Sequence, residues 1–365
     1  MKNLNFIKYY KNFVYGNNIF KEDIIRLLSE EKIVIADVGS TGGLDARWFF
    51  LEGYIKKYSF DPDSRAENIH DELELVFNLG LWSSEVQKEI FLTRFPSASS
   101  VFPPNTTLLS RFLNHKCHDV VGSAQIKMAR LDSVIQNNSP VDFIKVDTEG
   151  SDLEILYGAS KAIKTTVIGI QVEAQFIERN LGSPMFSDLD PVIRGDGYWL
   201  MELKRQSWIR NNDVNNVDAV PQLIWADAIY MITENEALKR ANDMDSLRRF
   251  KYLSKIILIS IAYGYIDYAM EILQSFFDNN LISRDEKEMI KEVIDKNFRS
   301  NFTILFHLFI ALIIALFGYL IGRVFNIKKE FFKYHLWYCY KRFLEGLTKL
   351  HSRHGPNYVA IGDGF

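Results

Sequence analysis

The chain has 365 residues, 24% of them charged and 47% apolar, with a formal net charge of -3; this length holds two structural units, and this balance excludes extended disorder. Its two cysteines, Cys117 and Cys339, exclude a disulfide framework or a four-cysteine zinc site within one chain and suit a reducing compartment. The body carries no basic stripe, which argues against nucleic acid as a partner.

The opening MKNLNFIKYYKNF scatters charge among apolar residues, so residues 1–29 read as a helical arm rather than a secretory signal. Ile33 to Val38 (IVIADV) then runs straight into GSTGG, which reads as a buried strand followed by a glycine turn. From Leu44 to Tyr54 the apolar residues Leu44, Trp48, Phe49 and Leu51 fall at helical spacing. A second strand ends at Phe60-Asp61-Pro62, and a third lies near Leu75 to Asn78. Ser83 to Met128 is too long and irregular for an ordinary connection; such insertions often line substrate sites. A fourth strand is expected at Val141 to Asp147 and a helix at Leu153 to Ala162, then strands at Val167 to Val172, Tyr198 to Leu203 and Leu223 to Ile232, with a helix at Ser187 to Arg194. Strands alternating with helices indicate an α/β fold: a Rossmann-like sheet of about seven mostly parallel strands over residues 30–235.

Asp37, Gly39, Ser40, Thr41, Gly42 and Gly43 sit where the chain leaves a strand, so backbone there can approach a ligand that a side chain would exclude. Asp61 follows the second strand and can accept hydrogen bonds from both hydroxyls of a ribose. Together they indicate a nucleoside-containing cofactor. Gly39, Gly42 and Gly43 do not take the G-x-G-x-x-G spacing of a dinucleotide site. Asn78, at the end of the third strand, completes the candidate cofactor contacts.

The stretch Val141 to Ala159, VDFIKVDTEGSDLEILYGA, resembles the signature of the FkbM-type methyltransferases, in which a strand ending K-x-D-x-E-G leads into a helix ending L-x-G-A. The resemblance extends over about 200 residues through DVGSTGG, FDPD, RLDSVI and FSDLDPVIRGDGYWLMEL. Two positions depart from the pattern: Ser40-Thr41 stands where Ala-Asn is commoner, and Asp61 where Glu is. The family implies a class I methyltransferase fold, S-adenosylmethionine as cofactor and methyl transfer to an oxygen of a saccharide or other hydroxylated acceptor.

Such transfer needs the acceptor aligned with the methyl group and its proton received. Lys145, Asp147 and Glu149 lie at the carboxyl end of the fourth strand, where alternation in a strand long enough would turn all three to one side. Asp147 or Glu149 is the candidate base, with Lys145 setting its charge state. Ser99, Ser100 and His118 of the insertion, and Glu173 at the end of the fifth strand, are candidate acceptor contacts. No metal site is expected; the minority alternative is a divalent cation between Asp147 and Glu173. N-methylation, another small metabolite, or a non-catalytic protein keeping the fold are the competing functions.

The remainder divides into a helical appendage (236–300), a hydrophobic segment (301–325) and a basic aromatic tail (326–365). Phe302 to Gly322 is free of formal charge and as a helix would span about 31 Å, enough to cross a bilayer core. Lys328, Lys329, Lys333, Lys341 and Arg342, interleaved with Phe331, Trp337 and Tyr340, suit a headgroup layer. The expectation is membrane association through 302–350 with the catalytic domain in the cytoplasm and a glycolipid-type substrate. The basic tail also favours the cytoplasmic side, so the orientation of the segment stays open.

Overall fold

In β1 (Ile33–Val38) every residue is buried, as a run with apolar side chains on both faces requires. It forms the centre of a sheet in a computed structural model that describes residues 21–39, 45–62, 73–113, 115–136, 138–211 and 220–296. With β2 (Ile55–Phe60), β3 (Glu74–Phe77), β7 (Phe143–Val146), β8 (Gly169–Gln175), β9 (Tyr198–Trp208) and β10 (Gln222–Ile232) it makes a seven-stranded sheet in the order β3-β2-β1-β7-β8-β10-β9. The pairs β1/β2, β1/β7, β2/β3 and β7/β8 are parallel, and β10 runs antiparallel to both β8 and β9. The expected α/β fold with a mostly parallel seven-stranded sheet is therefore present. Chain order reverses between β1 and β7, the point at which open α/β sheets bind ligands beyond their carboxyl ends.

The insertion differs from expectation. It forms a second, three-stranded sheet from β4 (Gly80–Leu81), β5 (Val86–Thr93) and β6 (Val120–Ala129), in the order β4-β6-β5. β5 and β6 pair antiparallel from Val86/Met128 to Thr93/Val120. Most of β6 faces solvent, so its sequence lacks the apolar signal that marks a core strand. Trp82, Ile90, Ile126 and Met128 give this sheet a small core of its own.

Two helical expectations also change. Over 44–54 the described part is a 3-10 helix, Ala46–Leu51, that buries Trp48 and Leu51. The helix expected at 153–162 is two, α2 (Asp152–Gly158) and α3 (Ser160–Thr165), separated at Ala159. Gly158 packs against backbone there: a Cβ on it would meet the Trp82 carbonyl oxygen at 2.1 Å. The helix expected at 187–194 is α4 (Phe186–Gly195).

α1 (Lys21–Leu28) precedes the sheet, and α5 (Glu234–Asn242), α6 (Ser246–Tyr263) and α7 (Ile266–Asp278) follow it. α6 is buried along most of its length and packs against α1 and the 3-10 helix. Its Tyr263 hydroxyl donates to Gln171 Oε1 at 2.8 Å, and the Tyr263 ring lies against Phe143 and Trp48. Lys255 Nζ donates to both carboxylate oxygens of the buried Asp142, which itself accepts from the Val34 amide. Residues 236–296 therefore share one hydrophobic core with the sheet. Among the described residues no helix is long and apolar enough to cross a membrane; Phe302 to Gly322 lies outside them.

Candidate active site

A pocket opens at the switch point. Val38 and Gly39 leave β1, Phe60 and Asp61 leave β2, and Asp147, Thr148 and Glu149 leave β7 to line it. Gly80, Leu81, Ile90 and Met128 of the second sheet, Ser99 and Ser100, and Ile155 of α2 close the other walls. The inserted sheet thus builds one side of the pocket, and Ser99 and Ser100 line it with hydroxyls bonded to backbone: Ser99 Oγ accepts from the Thr93 amide, and Ser100 Oγ accepts from the Phe102 amide and donates to the Glu149 carbonyl.

Gly39 has φ +75°, and a Cβ there would sit 1.9 Å from the Asp147 carbonyl oxygen. Only glycine lets the two strand exits come this close. Ser40, Thr41, Gly42 and Gly43 lie outside the described residues. Asp61 is buried at the pocket edge. Asn78 is exposed and is not among the lining residues, because the chain turns at Leu79 and presents Gly80 and Leu81 instead.

Asp37 has a different place from the one expected. It is not among the lining residues and is fully buried, accepting from Lys145 Nζ at 3.1 Å, with Lys57 Nζ at 3.9 Å. Burial raises the pKa of its carboxyl, and the two cations pull the other way. Asp37 and Lys145 are register partners across the β1/β7 pair, so the contact is built into the sheet. Lys145 consequently serves Asp37 first; Asp147 lies at 3.9 Å and remains half exposed.

The three-residue alternation also stops short. β7 ends at Val146, and Glu149 adopts φ +57°, which swings its side chain away from Lys145. The Glu149 carbonyl oxygen accepts from Ser100 Oγ at 2.7 Å and Asn180 Nδ2 at 2.8 Å. Its carboxylate Oε2 is 2.9 Å from Nη2 of Arg179, which donates to Glu173 Oε1 at 2.5 Å. Burial pushes the Glu149 carboxyl up, and that of Glu173 well above the usual range, against the pull of Arg179.

Glu173 is therefore a partner of Arg179 and does not line the pocket; as an acceptor contact it is displaced. The same contact removes it from an Asp147–Glu173 cation site, since a metal would have to displace a buried guanidinium. Among the described residues no group of three or more His, Cys, Asp or Glu is arranged to hold a metal ion. His118 is likewise displaced: it is buried in the 3-10 turn His115–His118, 5.7 Å from the Trp208 ring, and does not line the pocket. Burial and the nearby Arg179 lower its pKa to about 4.

Arg179, Asn180 and Ser183 were not legible as site residues, although they lie in the polar loop just beyond β8, at the ligand-binding edge of the sheet. Their position after a strand end was the available signal. Ser183 packs on Gly150, where φ is +116° and a Cβ would meet the Ser183 Cβ at 2.8 Å.

Residues 46–200 match the family model described as the methyltransferase FkbM domain. The crystal structure of methyltransferase FkbM from Methylobacillus flagellatus KT is similar at 17% sequence identity and a TM-score of 0.33, over 61% of this chain and 50% of that one. The match thus spans half the length of that protein. No curated protein matches the chain.

Proposed function

We propose, from the premise that residues 46–200 are a methyltransferase FkbM domain, that the protein is an S-adenosylmethionine-dependent O-methyltransferase acting on a hydroxyl of a saccharide or glycolipid-type acceptor. The observation that supports it most is the pocket, where Gly39 and Asp61 border one space at the switch point. The residues present fit the cofactor: Asp61 for the ribose hydroxyls, and Val38, Leu81, Ile155 and Met128 as apolar walls for a nucleobase. When bound, S-adenosylmethionine supplies an electrophilic methyl group on a good leaving group.

The protein's own task is to orient the acceptor and receive its proton. Glu149 borders the pocket with a carboxyl raised by burial, which makes it a stronger base than a solvated acid. Asp147, beside it and more exposed, is suited to hold the acceptor hydroxyl in line. As oxygen gains the methyl group, its proton passes to the Glu149 carboxylate. The saccharide or glycolipid acceptor rests on the family resemblance, and membrane association on the uncharged run Phe302 to Gly322 with the basic aromatic residues after it. A cytoplasmic catalytic domain follows from the supply of the methyl donor.

The test incubates the full chain with methyl-labelled S-adenosylmethionine and a membrane-glycan extract. Label in a glycan fraction is expected, together with calorimetric binding of the cofactor; absence of both refutes the reading. Carbonate extraction checks the membrane part separately.

A further inference from the structure

We propose that Arg179 and Glu173 are positioning residues that hold the Glu149 carboxylate at the pocket wall, so that the loop after β8 completes the site. This rests on Glu149 as the proton acceptor and adds the device that aims it. A glutamate leaving a strand at φ +57° has no local secondary structure to direct its side chain, and the backbone conformation itself is costly for a residue with a Cβ. Three contacts from elsewhere fix it. Ser100 and Asn180 hold its carbonyl oxygen from two sides, and Arg179 holds its carboxylate.

Arg179 can do this because it is itself buried and held. Its side chain is only 2% exposed, and its guanidinium lies over the Trp225 ring at 5.7 Å. The Nη2 that meets Glu149 also donates to Glu173, whose backbone is fixed in β8 opposite Asp227 of β10. The Nη2 atom alone lies between the two carboxylates, 2.9 Å from Glu149 and 2.5 Å from Glu173; a lysine side chain at 179 is one bond shorter and does not carry its nitrogen to that point. Glu149 Oε2, Glu173 Oε2 and Arg179 Nε are buried without a hydrogen bond among the described residues, so Arg179 meets Glu149 as an ion pair and gives its hydrogen bond to Glu173 Oε1. The charges that face Glu149 are those of Arg179 and Glu173 from neighbouring elements, with Asp147 and Asp152 on its own segment. Rotating Arg179 away would leave Glu149 free to turn from the acceptor while Gly39 and Asp61 stay where they are.

The experiment compares Arg179→Lys and Glu173→Gln with the wild-type full chain by two readouts. The first is the carboxyl carbon resonance of Glu149 in glutamate-labelled protein, assigned with Glu149→Gln. It is expected to move in both variants. The second is the labelled-methyl rate against dilution of the glycan extract. The plateau is expected to fall at least about thirtyfold in Arg179→Lys and about three- to tenfold in Glu173→Gln, while the half-saturating dilution and cofactor affinity stay within about threefold. A Glu149 resonance unmoved in both variants overturns the proposal, as does loss confined to half-saturation or to cofactor binding. If Arg179→Lys does not fold, Glu173→Gln decides by the same criteria. A moved resonance in a protein that transfers no methyl group keeps the positioning assignment and refutes the methyltransferase reading instead.

Discussion

Replacing Gly39 by alanine should weaken both the fold and the cofactor site, and two other glycines separate the causes. At Gly53, φ is +85° with nothing within 4 Å of an added Cβ, so alanine there meets backbone strain alone, ~1–2 kcal/mol. At Gly158 an added Cβ would lie 2.1 Å from a backbone oxygen without left-handed strain, so alanine there meets crowding alone, ~1–3 kcal/mol. Gly39 combines φ +75° with a 1.9 Å contact, and the two costs together give ~2–5 kcal/mol. Against the ~5–15 kcal/mol of an ordinary domain this leaves a folded but weakened protein. The carbonyl that must give way belongs to Asp147, whose amide also bonds to the Val38 oxygen at 3.0 Å. S-adenosylmethionine affinity should therefore fall about tenfold or more in Gly39→Ala and change less than about threefold in Gly53→Ala. Urea unfolding and calorimetric titration of the three variants measure this. A Gly39→Ala protein no less stable than Gly53→Ala, or with unchanged affinity, would refute the argument.

Two further outcomes follow from the site. Asp61→Asn exchanges a carboxylate that can accept from two hydroxyls for an amide with one acceptor atom; the loss of a charged hydrogen bond, ~1.5–3 kcal/mol, corresponds to roughly 10- to 150-fold weaker cofactor binding by calorimetry. His118 has a folded pKa of about 4, below the ordinary 6.5, so the unfolded chain takes the proton first. The stability it contributes is present above about pH 6.5 and lost as pH falls toward 4, up to ~3 kcal/mol. Asp152, raised to about 7 by burial, has the opposite sign, losing stability as pH rises, and is common to wild type and variant. His118→Gln should therefore lose less stability than wild type between pH 6.5 and 4.5 in urea titrations, and parallel curves would contradict the assignment.

The strands with apolar residues on both faces were readable because burial on two sides leaves an uninterrupted run, as in IVIADV. β5 and β6 were not, because one-sided exposure dilutes their pattern. In the site, Gly39, Asp61, Asp147 and Glu149 were legible because each follows a strand at its carboxyl end, the edge that the fold class reserves for ligands. What those side chains touch was not. Lys145 meets Asp37 across 108 residues of sequence through the β1/β7 register. Glu149 meets Arg179 because a left-handed residue reverses an alternation that holds only inside a strand. Both depend on long-range closure, which local spacing does not encode.

The burial of α6 sets an order on synthesis. β7, which leads into Asp147, Thr148 and Glu149 of the pocket wall, is complete at Val146, but the Tyr263 that covers its Phe143 comes 117 residues later. At about 5–20 residues per second, a nascent chain holds that face of the sheet open for roughly 6–23 s. Over that interval Trp48 and Phe143 lack the Tyr263 ring that packs on both, and β1 already has its strand neighbours but not its helical cover. The helices from Glu234 onward thus set how long that face stays uncovered, and slower translation between β7 and α6 is expected to increase aggregation before any effect on the pocket is seen.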